Sequence, residues 1–387
     1  MSIWQGYGWK PFRADLIAGL TVAAVAVPQA MAYALIAGVD PRYGVYTAIV
    51  MTAVGAVFNS SAHLINGPTN AISLVVLSAI AGLQVGDADK VEAVFLLSVI
   101  VGIIQIGLYL LKLGDLTRYI SESVILGFML GAGVLIALSQ VPNLLGLTSQ
   151  GDGQDHLLVR LGLTVVYGGP ASGGALLIGL GTTFLVLGFR WVSTRLRLLL
   201  PDMLLALIVA SAVAYLIGWR EEWPAFPAAL PSFHLPRIQW VWVRGLSGSA
   251  LALAVLGLLE ALAIAKSLAF ITRQPLDYNR QCLAEGLANL SGGFFQCIPG
   301  SGSLTRSAIN FQAGAATQVS GLLSAAAVAL CVLLFADLAR FVPRPALAGI
   351  LLVTAWRLVD RKRLLTACRR PCSIATSRWR RRRWRCF

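Results

Sequence analysis

The sequence predicts an all-α polytopic membrane protein, on three observations. Of its 387 residues, 57% are apolar and only 12% are charged, about half the charged share of a soluble domain. The apolar residues fall in long runs separated by short polar connections. The connections alternate between basic and acidic, as expected of a chain that crosses a bilayer repeatedly. A mean hydropathy of +0.75 agrees with all three.

A spanning helix needs ~20 mostly apolar residues. Such runs lie near residues 15–38, 42–58, 90–111, 119–142, 172–192, 198–218, 247–271, 278–296, 317–339 and 343–359. Two shorter runs begin at Gly67 and Ser303. The runs are rich in Ala, Leu and Gly and lack period-2 alternation, so transmembrane strands are excluded. The expectation is about twelve segments, helical because lipid offers the backbone no other partner. The first run, Leu16 to Val39, is too long for a cleaved leader and reads as a retained helix.

Loop charges set the expected orientation. With the N-terminus cytoplasmic, Lys10 and Arg13 lie inside. So do Lys112 and Arg118; Arg190, Arg195 and Arg197; Arg273 and Arg280; and Arg357, Arg361, Lys362 and Arg363. Asp87, Asp89, Asp152, Asp155, Glu221 and Glu222 fall outside. The expected location is therefore an inner membrane, crossed many times. Four regions follow: a first set of seven segments over 1–218, an extracytoplasmic loop over 219–246, a second set over 247–367, and a basic tail over 368–387.

The net charge of +14 is local. Residues 361–387 hold 11 Lys/Arg and no acid, leaving 20 basic against 17 acidic residues elsewhere. This pattern fits a tail beside anionic lipid, and no nucleic-acid motif accompanies it. Neither the cysteines nor His63, His156 and His234 have metal-ligand spacing; the histidines read as loop residues. No nucleophile–base pair or phosphate loop is present, so an enzyme is not expected, nor a cofactor.

The two short segments are the most informative. The first reads Asn66-Gly-Pro-Thr-Asn-Ala-Ile-Ser73, the second Pro299-Gly-Ser-Gly-Ser-Leu-Thr-Arg-Ser-Ala308. Each is the third segment of its set. Short, Gly/Pro-interrupted segments at matching places point to an inverted-repeat transporter. A half-helix starting at mid-membrane aims unpaired N–H groups and about half a positive charge at the protein centre, which suits an anion. Pro68 fits the first turn of such a helix. Thr69, Asn70, Ser303 and Thr305 offer short polar side chains for capping or for ligand oxygens.

Arg306 falls within the first turn of the second half-helix. It would add full charge and fork geometry for an oxyanion or carboxylate. The alternative is an arginine that snorkels or pairs with a structural acid. Glu260 lies deep in an apolar helix, between Gly257-Leu-Leu and Ala261-Leu-Ala. It can pair with Arg306, carry a coupling proton or sodium ion, or be purely structural. Glu122 and Glu285 read as structural and Glu92 as solvated.

Four stretches, in order, resemble the sulfate permease (SulP) anion transporters, bacterial relatives of animal anion exchangers and prestin. They are Val27-Pro-Gln-Ala-Met-Ala-Tyr-Ala-Leu-Ile-Ala-Gly38, the Asn66–Ser73 segment, Leu258-Leu-Glu-Ala-Leu-Ala-Ile-Ala-Lys266, and Asn279 to Asn310. The resemblance spans roughly residues 12–365. It implies a seven-plus-seven inverted repeat with core and gate domains. It places a small inorganic or carboxylate anion between Gln29, Tyr33, Thr69 and Ala71 on one side and Ser303, Leu304, Thr305 and Arg306 on the other. It puts Glu260 where relatives carry an acid tied to cation coupling. Elevator-like transport of sulfate, bicarbonate or a dicarboxylate, by symport with a proton or sodium ion or by exchange, is the implied activity, with a homodimer compatible. Alternatives are an anion channel and a non-functional truncated transporter. Members normally continue through two more helices into a STAS domain, so the sequence after Ala367 is expected to be truncated or out of frame.

Overall fold

A computed structural model gives the architecture, describing residues 7–83, 86–112, 122–148, 150, 157–196, 201–219 and 228–358. The first set comprises α1 (Trp9–Ile36), α2 (Pro41–Phe58), β1 (Asn66–Gly67), α3 (Asn70–Ala81), α4 (Asp87–Leu110), α5 (Glu122–Ser139), α6 (Val141–Leu145), α7 (Leu157–Tyr167), α8 (Gly173–Leu196) and α9 (Asp202–Leu216). The second comprises α10 (Trp240–Thr272), α11 (Tyr278–Phe294), β2 (Ser301–Gly302), α12 (Leu304–Gln312), α13 (Val319–Phe335), a 3-10 turn over Ala336–Phe341, and α14 (Arg344–Leu358). This is an all-α polytopic membrane fold. Among the described helices, α1, α4, α8 and α10 are each long and apolar enough to cross a bilayer unaided.

Local chemistry sets several ends. Pro41 opens α2 behind Asp40, whose carboxylate accepts from Arg42 N at 2.9 Å. Asp277 caps α11 through Arg280 N at 2.9 Å. Three expectations need correction. The connection between the two sets, expected over 219–246, ends earlier, because α10 begins at Trp240. Trp240-Val-Trp-Val continues the apolar face, and Trp242 is buried. The helices α6 and α7 were not foreseen; α7 spans eleven residues, too few to register as a crossing. Glu92 is not simply solvated: it takes His234 Nε2 at 2.8 Å and Arg237 N at 3.2 Å, which pins the segment before α10 onto α4. Expectations for His156, Arg118, Asp152, Asp155, Arg197, Glu221, Glu222, Arg361, Lys362, Arg363 and the 368–387 tail fall outside the described residues.

Packing sorts the helices into two bundles. In one, α1, α2, α4, α10, α11 and α13 pack together, with α3 and α12 held among them. In the other, α14 packs against α5, α6, α8 and α9. The bundles meet where α1 touches α9 and α14, and where α3 touches α5. Each bundle takes helices from both halves of the sequence. At the centre, β1 and β2 pair antiparallel, Asn66 opposite Gly302 and Gly67 opposite Ser301. The same series (helix, helix, strand, short helix) thus occurs twice, and its strands meet running in opposite senses.

A buried carboxylate fixes α1 at the end nearer the N-terminus. Asp15 is fully buried. It accepts from Ala316 N at 2.7 Å, Thr317 N at 2.9 Å, Thr317 Oγ1 at 2.6 Å and Tyr7 Oη at 3.0 Å. Burial, then the hydrogen bond to Asp15 and its charge, push the Tyr7 phenol up to about 12, so it remains a donor at neutral pH. Asp15→Ala should strand these donors and cost about 2–4 kcal/mol, seen as a lower unfolding midpoint in detergent. Asp15→Asn should cost less, because its carbonyl can still serve the two backbone N–H groups. Equal midpoints for wild type and Asp15→Ala would refute the clasp.

Candidate functional site

The β1–β2 crossing brings the starts of α3 and α12 together. Thr69 is the N-cap of α3 in extended backbone, and the first helical bond runs from Ser73 N to Thr69 O at 3.0 Å. The N–H groups of Asn70, Ala71 and Ile72 therefore lie ahead of any helical acceptor. Ser303 is the N-cap of α12, and its side chain faces Arg306 N at 3.5 Å. Pro68 is not in the first turn of α3, as expected from sequence, but stands just before the cap. Its fixed φ and missing N–H suit that bend equally well, and its carbonyl accepts from Arg306.

Side chains of α11 and its neighbours hold the crossing. Asn66 donates to Glu285 Oε1 at 2.6 Å and accepts from Asn59 Nδ2 at 2.7 Å. Gln281 Nε2 reaches Asn59 Oδ1 at 2.7 Å and Glu285 Oε1 at 3.3 Å. Asn289 takes Gly300 N on its carbonyl at 3.0 Å and donates to Gly300 O at 3.1 Å. Thr52 Oγ1 donates to Asn66 O at 2.7 Å, and Ser301 Oγ to Gly257 O at 2.7 Å. Gln281, Glu285 and Asn289 form a polar stripe at four-residue spacing, a signal readable in the sequence but overlooked there. Glu285 accepts the Asn66 and Gln281 bonds on Oε1, and its Oε2 has no partner among the described residues.

Arg306 is fully buried, the largest such side chain among the described residues. Its Nη2 donates to Pro68 O at 2.7 Å, and its Nε has no partner among the described residues. The guanidinium lies against Gly67 and within electrostatic reach of Tyr33 and Glu260. It therefore joins the two half-helices rather than snorkelling. Glu260 takes its hydrogen bond from Thr69 Oγ1 at 3.1 Å. The direct Glu260–Arg306 hydrogen-bonded pair, one of the alternatives, is not the arrangement seen.

The other expected residues fall as follows. Gln29 and Tyr33, one turn apart on α1, are buried, as are Thr69, Ala71 and Ser303. Thr305 is half-buried and Leu304 is 43% exposed, so these two stand at the edge rather than inside. The Gln29 amide donates to Met203 Sδ at 3.3 Å, and its carbonyl oxygen is unpartnered among the described residues. Asn70 Oδ1 and Ser73 Oγ are likewise buried without partners among them. The two helix N-termini and the buried, positively charged Arg306 meet at the β1–β2 crossing. That arrangement suits a small anion with several oxygens, whereas the amide oxygens of Gln29 and Asn70, unpartnered among the described residues, are acceptors and add nothing to the attraction for an anion. Sequence reasoning missed Met203, because nothing local ties the start of α9 to α1.

A model of the sulfate permease family matches residues 12–372. The chain belongs to the sulfate permease family. Its members are transporters rather than enzymes. Among relatives, YvdB of Bacillus subtilis (strain 168), which bears a provisional sulfate-transporter name, is 32% identical over 94% of this chain and 68% of its own. The chloroplastic sulfate transporter 4.1 of Arabidopsis thaliana is 32% identical over 92% of this chain and 52% of its own. This chain thus spans about half the length of that plant relative. The transmembrane domain of a cyanobacterium bicarbonate transporter, BicA, superposes with a TM-score of 0.79 at 26% identity, covering 92% and 90% of the two chains. The structure of SLC26A9, at 22% identity and a TM-score of 0.83 over 93% of this chain and 60% of that one, shows the same fold.

Proposed function

We propose that this chain binds a small anion between the N-termini of α3 and α12 and carries it across an inner membrane. The N-terminus lies on the cytoplasmic side. The observation that carries the reading is the buried Arg306, spanning from α12 to the Pro68 carbonyl beside the N-termini of the two half-helices. Gln29 and Tyr33 complete the site from α1, with Thr69 and Ala71 on the α3 side and Ser303, Leu304 and Thr305 on the α12 side. Sulfate, bicarbonate and dicarboxylates all offer the charge and oxygens this site selects. The relatives carry sulfate and bicarbonate in their names.

Movement is an elevator-like shift of the bundle holding both half-helices against the bundle built on α14. Glu260 couples transport to a proton or sodium ion. Its bond to Thr69 ties the acid to the α3 cap, so loading a cation there alters the anion site directly.

Uptake of labelled sulfate, bicarbonate and fumarate into proteoliposomes, under imposed pH and sodium gradients, tests the reading. Saturable uptake of one anion supports it. Ohmic, unsaturating flux makes the protein a channel, and no uptake by folded protein removes the activity. Glu260→Gln should abolish the several-fold stimulation by the coupling gradient while sparing anion exchange. An unchanged gradient dependence would take Glu260 out of coupling.

A further inference from the structure

We propose that Met203 is a positioning residue for the anion: its thioether holds the Gln29 amide N–H in the empty site and yields it to the anion on binding. This rests on the anion site between α3 and α12. Gln29 is fully buried on α1, yet its amide makes one contact with a side chain, Nε2 to Met203 Sδ at 3.3 Å. Its carbonyl oxygen has no partner among the described residues. A thioether is a weak acceptor, and a buried amide left this poorly satisfied is costly. Such a group is poised for a better partner.

The position of that partner follows from α1. Gln29 and Tyr33 are four residues apart and share a helix face. Tyr33 is within electrostatic reach of Arg306, and Met203, Tyr33 and Ala71 belong to one buried cluster. The helix α1 packs against both α3 and α12, so the Gln29 amide is carried on the helix that borders both half-helices. An N–H···O⁻ bond to an oxyanion is about twice as strong as a neutral one, so exchanging sulfur for an anionic oxygen is favourable. Met203 is also fully buried in the first turn of α9, in the bundle opposite Arg306. The Gln29–Met203 bond thus crosses between the two bundles. Its release on anion binding removes a polar contact between them at the moment the site is filled.

Two substitutions should move affinity in opposite directions. Met203→Leu keeps the side-chain size and removes the acceptor. The amide is then unpaired in the empty site, and anion affinity should rise about fivefold. Met203→Gln supplies a stronger acceptor, so affinity should fall by about the same factor. The readout is Kd by calorimetry on the full chain in detergent, for whichever of sulfate, bicarbonate and fumarate the wild type binds. Unfolding midpoints run alongside, and each variant is repeated on Gln29→Leu, where both effects should vanish. Affinity unchanged by Met203→Leu, or changed equally with and without Gln29, would overturn the proposal while leaving the anion site standing. A folded wild type that binds none of the three would bring down the anion site and this role together.

Discussion

Arg306→Ala should lower anion affinity about 10- to 100-fold, the loss expected from removing hydrogen bonds to a charged group. The substitution removes the full positive charge in the arginine pocket, leaving two helix N-termini that supply about half a charge each. It also leaves the Pro68 carbonyl without its 2.7 Å donor. Arg306→Lys should recover part of the affinity, since an ammonium restores charge but not the fork. Equilibrium binding on purified protein is the direct measurement. Affinity within twofold of wild type in Arg306→Ala, with folding intact, would place the anion elsewhere.

Gly67→Ala should damage the same function from the other side of the crossing. Gly67 has φ +144°, a conformation that side-chain-bearing residues rarely adopt. A Cβ there would stand 2.6 Å from Arg306 Nη1 and 3.0 Å from Nη2. Backbone strain alone should cost about 1–3 kcal/mol of stability. The displaced guanidinium should add an affinity loss approaching that of Arg306→Ala. Gly300 is under a related constraint, because a Cβ there would meet the Gly67 carbonyl oxygen at 2.5 Å. That neighbour is backbone and cannot swing aside, so Gly300→Ala is the harsher change for folding. Thermal unfolding and anion binding on the same Gly67→Ala preparation separate the two effects. An unaltered Kd would mean that the guanidinium has room the structure does not show.

The membrane class and the order of crossings were legible because hydrocarbon imposes a one-dimensional rule: each crossing must be long, apolar and helical. Each of the twelve expected segments corresponds in order to a described helix. The two half-helices were legible because Gly and Pro mark where a helix cannot start earlier, in Asn66-Gly-Pro-Thr and Pro299-Gly-Ser-Gly. What failed lay outside that rule. The helix α7 is short, and the first turns of α10 carry tryptophans and Arg244, which read as interfacial loop. Glu92 gave no hint of its partner, which lies 142 residues away.

By itself, then, the sequence determined the helices, their order, the two interrupted segments and the residue types at their starts. These depend on local composition, backbone propensity and hydration. The tertiary structure alone decided what those starts face. It paired Asn66 with Gly302, laid Arg306 against Gly67 and onto the Pro68 carbonyl, gave Glu260 to Thr69 rather than to Arg306, and brought Met203 to Gln29. These contacts join residues up to about 240 positions apart. They are set by how buried polar groups share a limited number of partners inside lipid, a constraint on the folded whole that no local window contains.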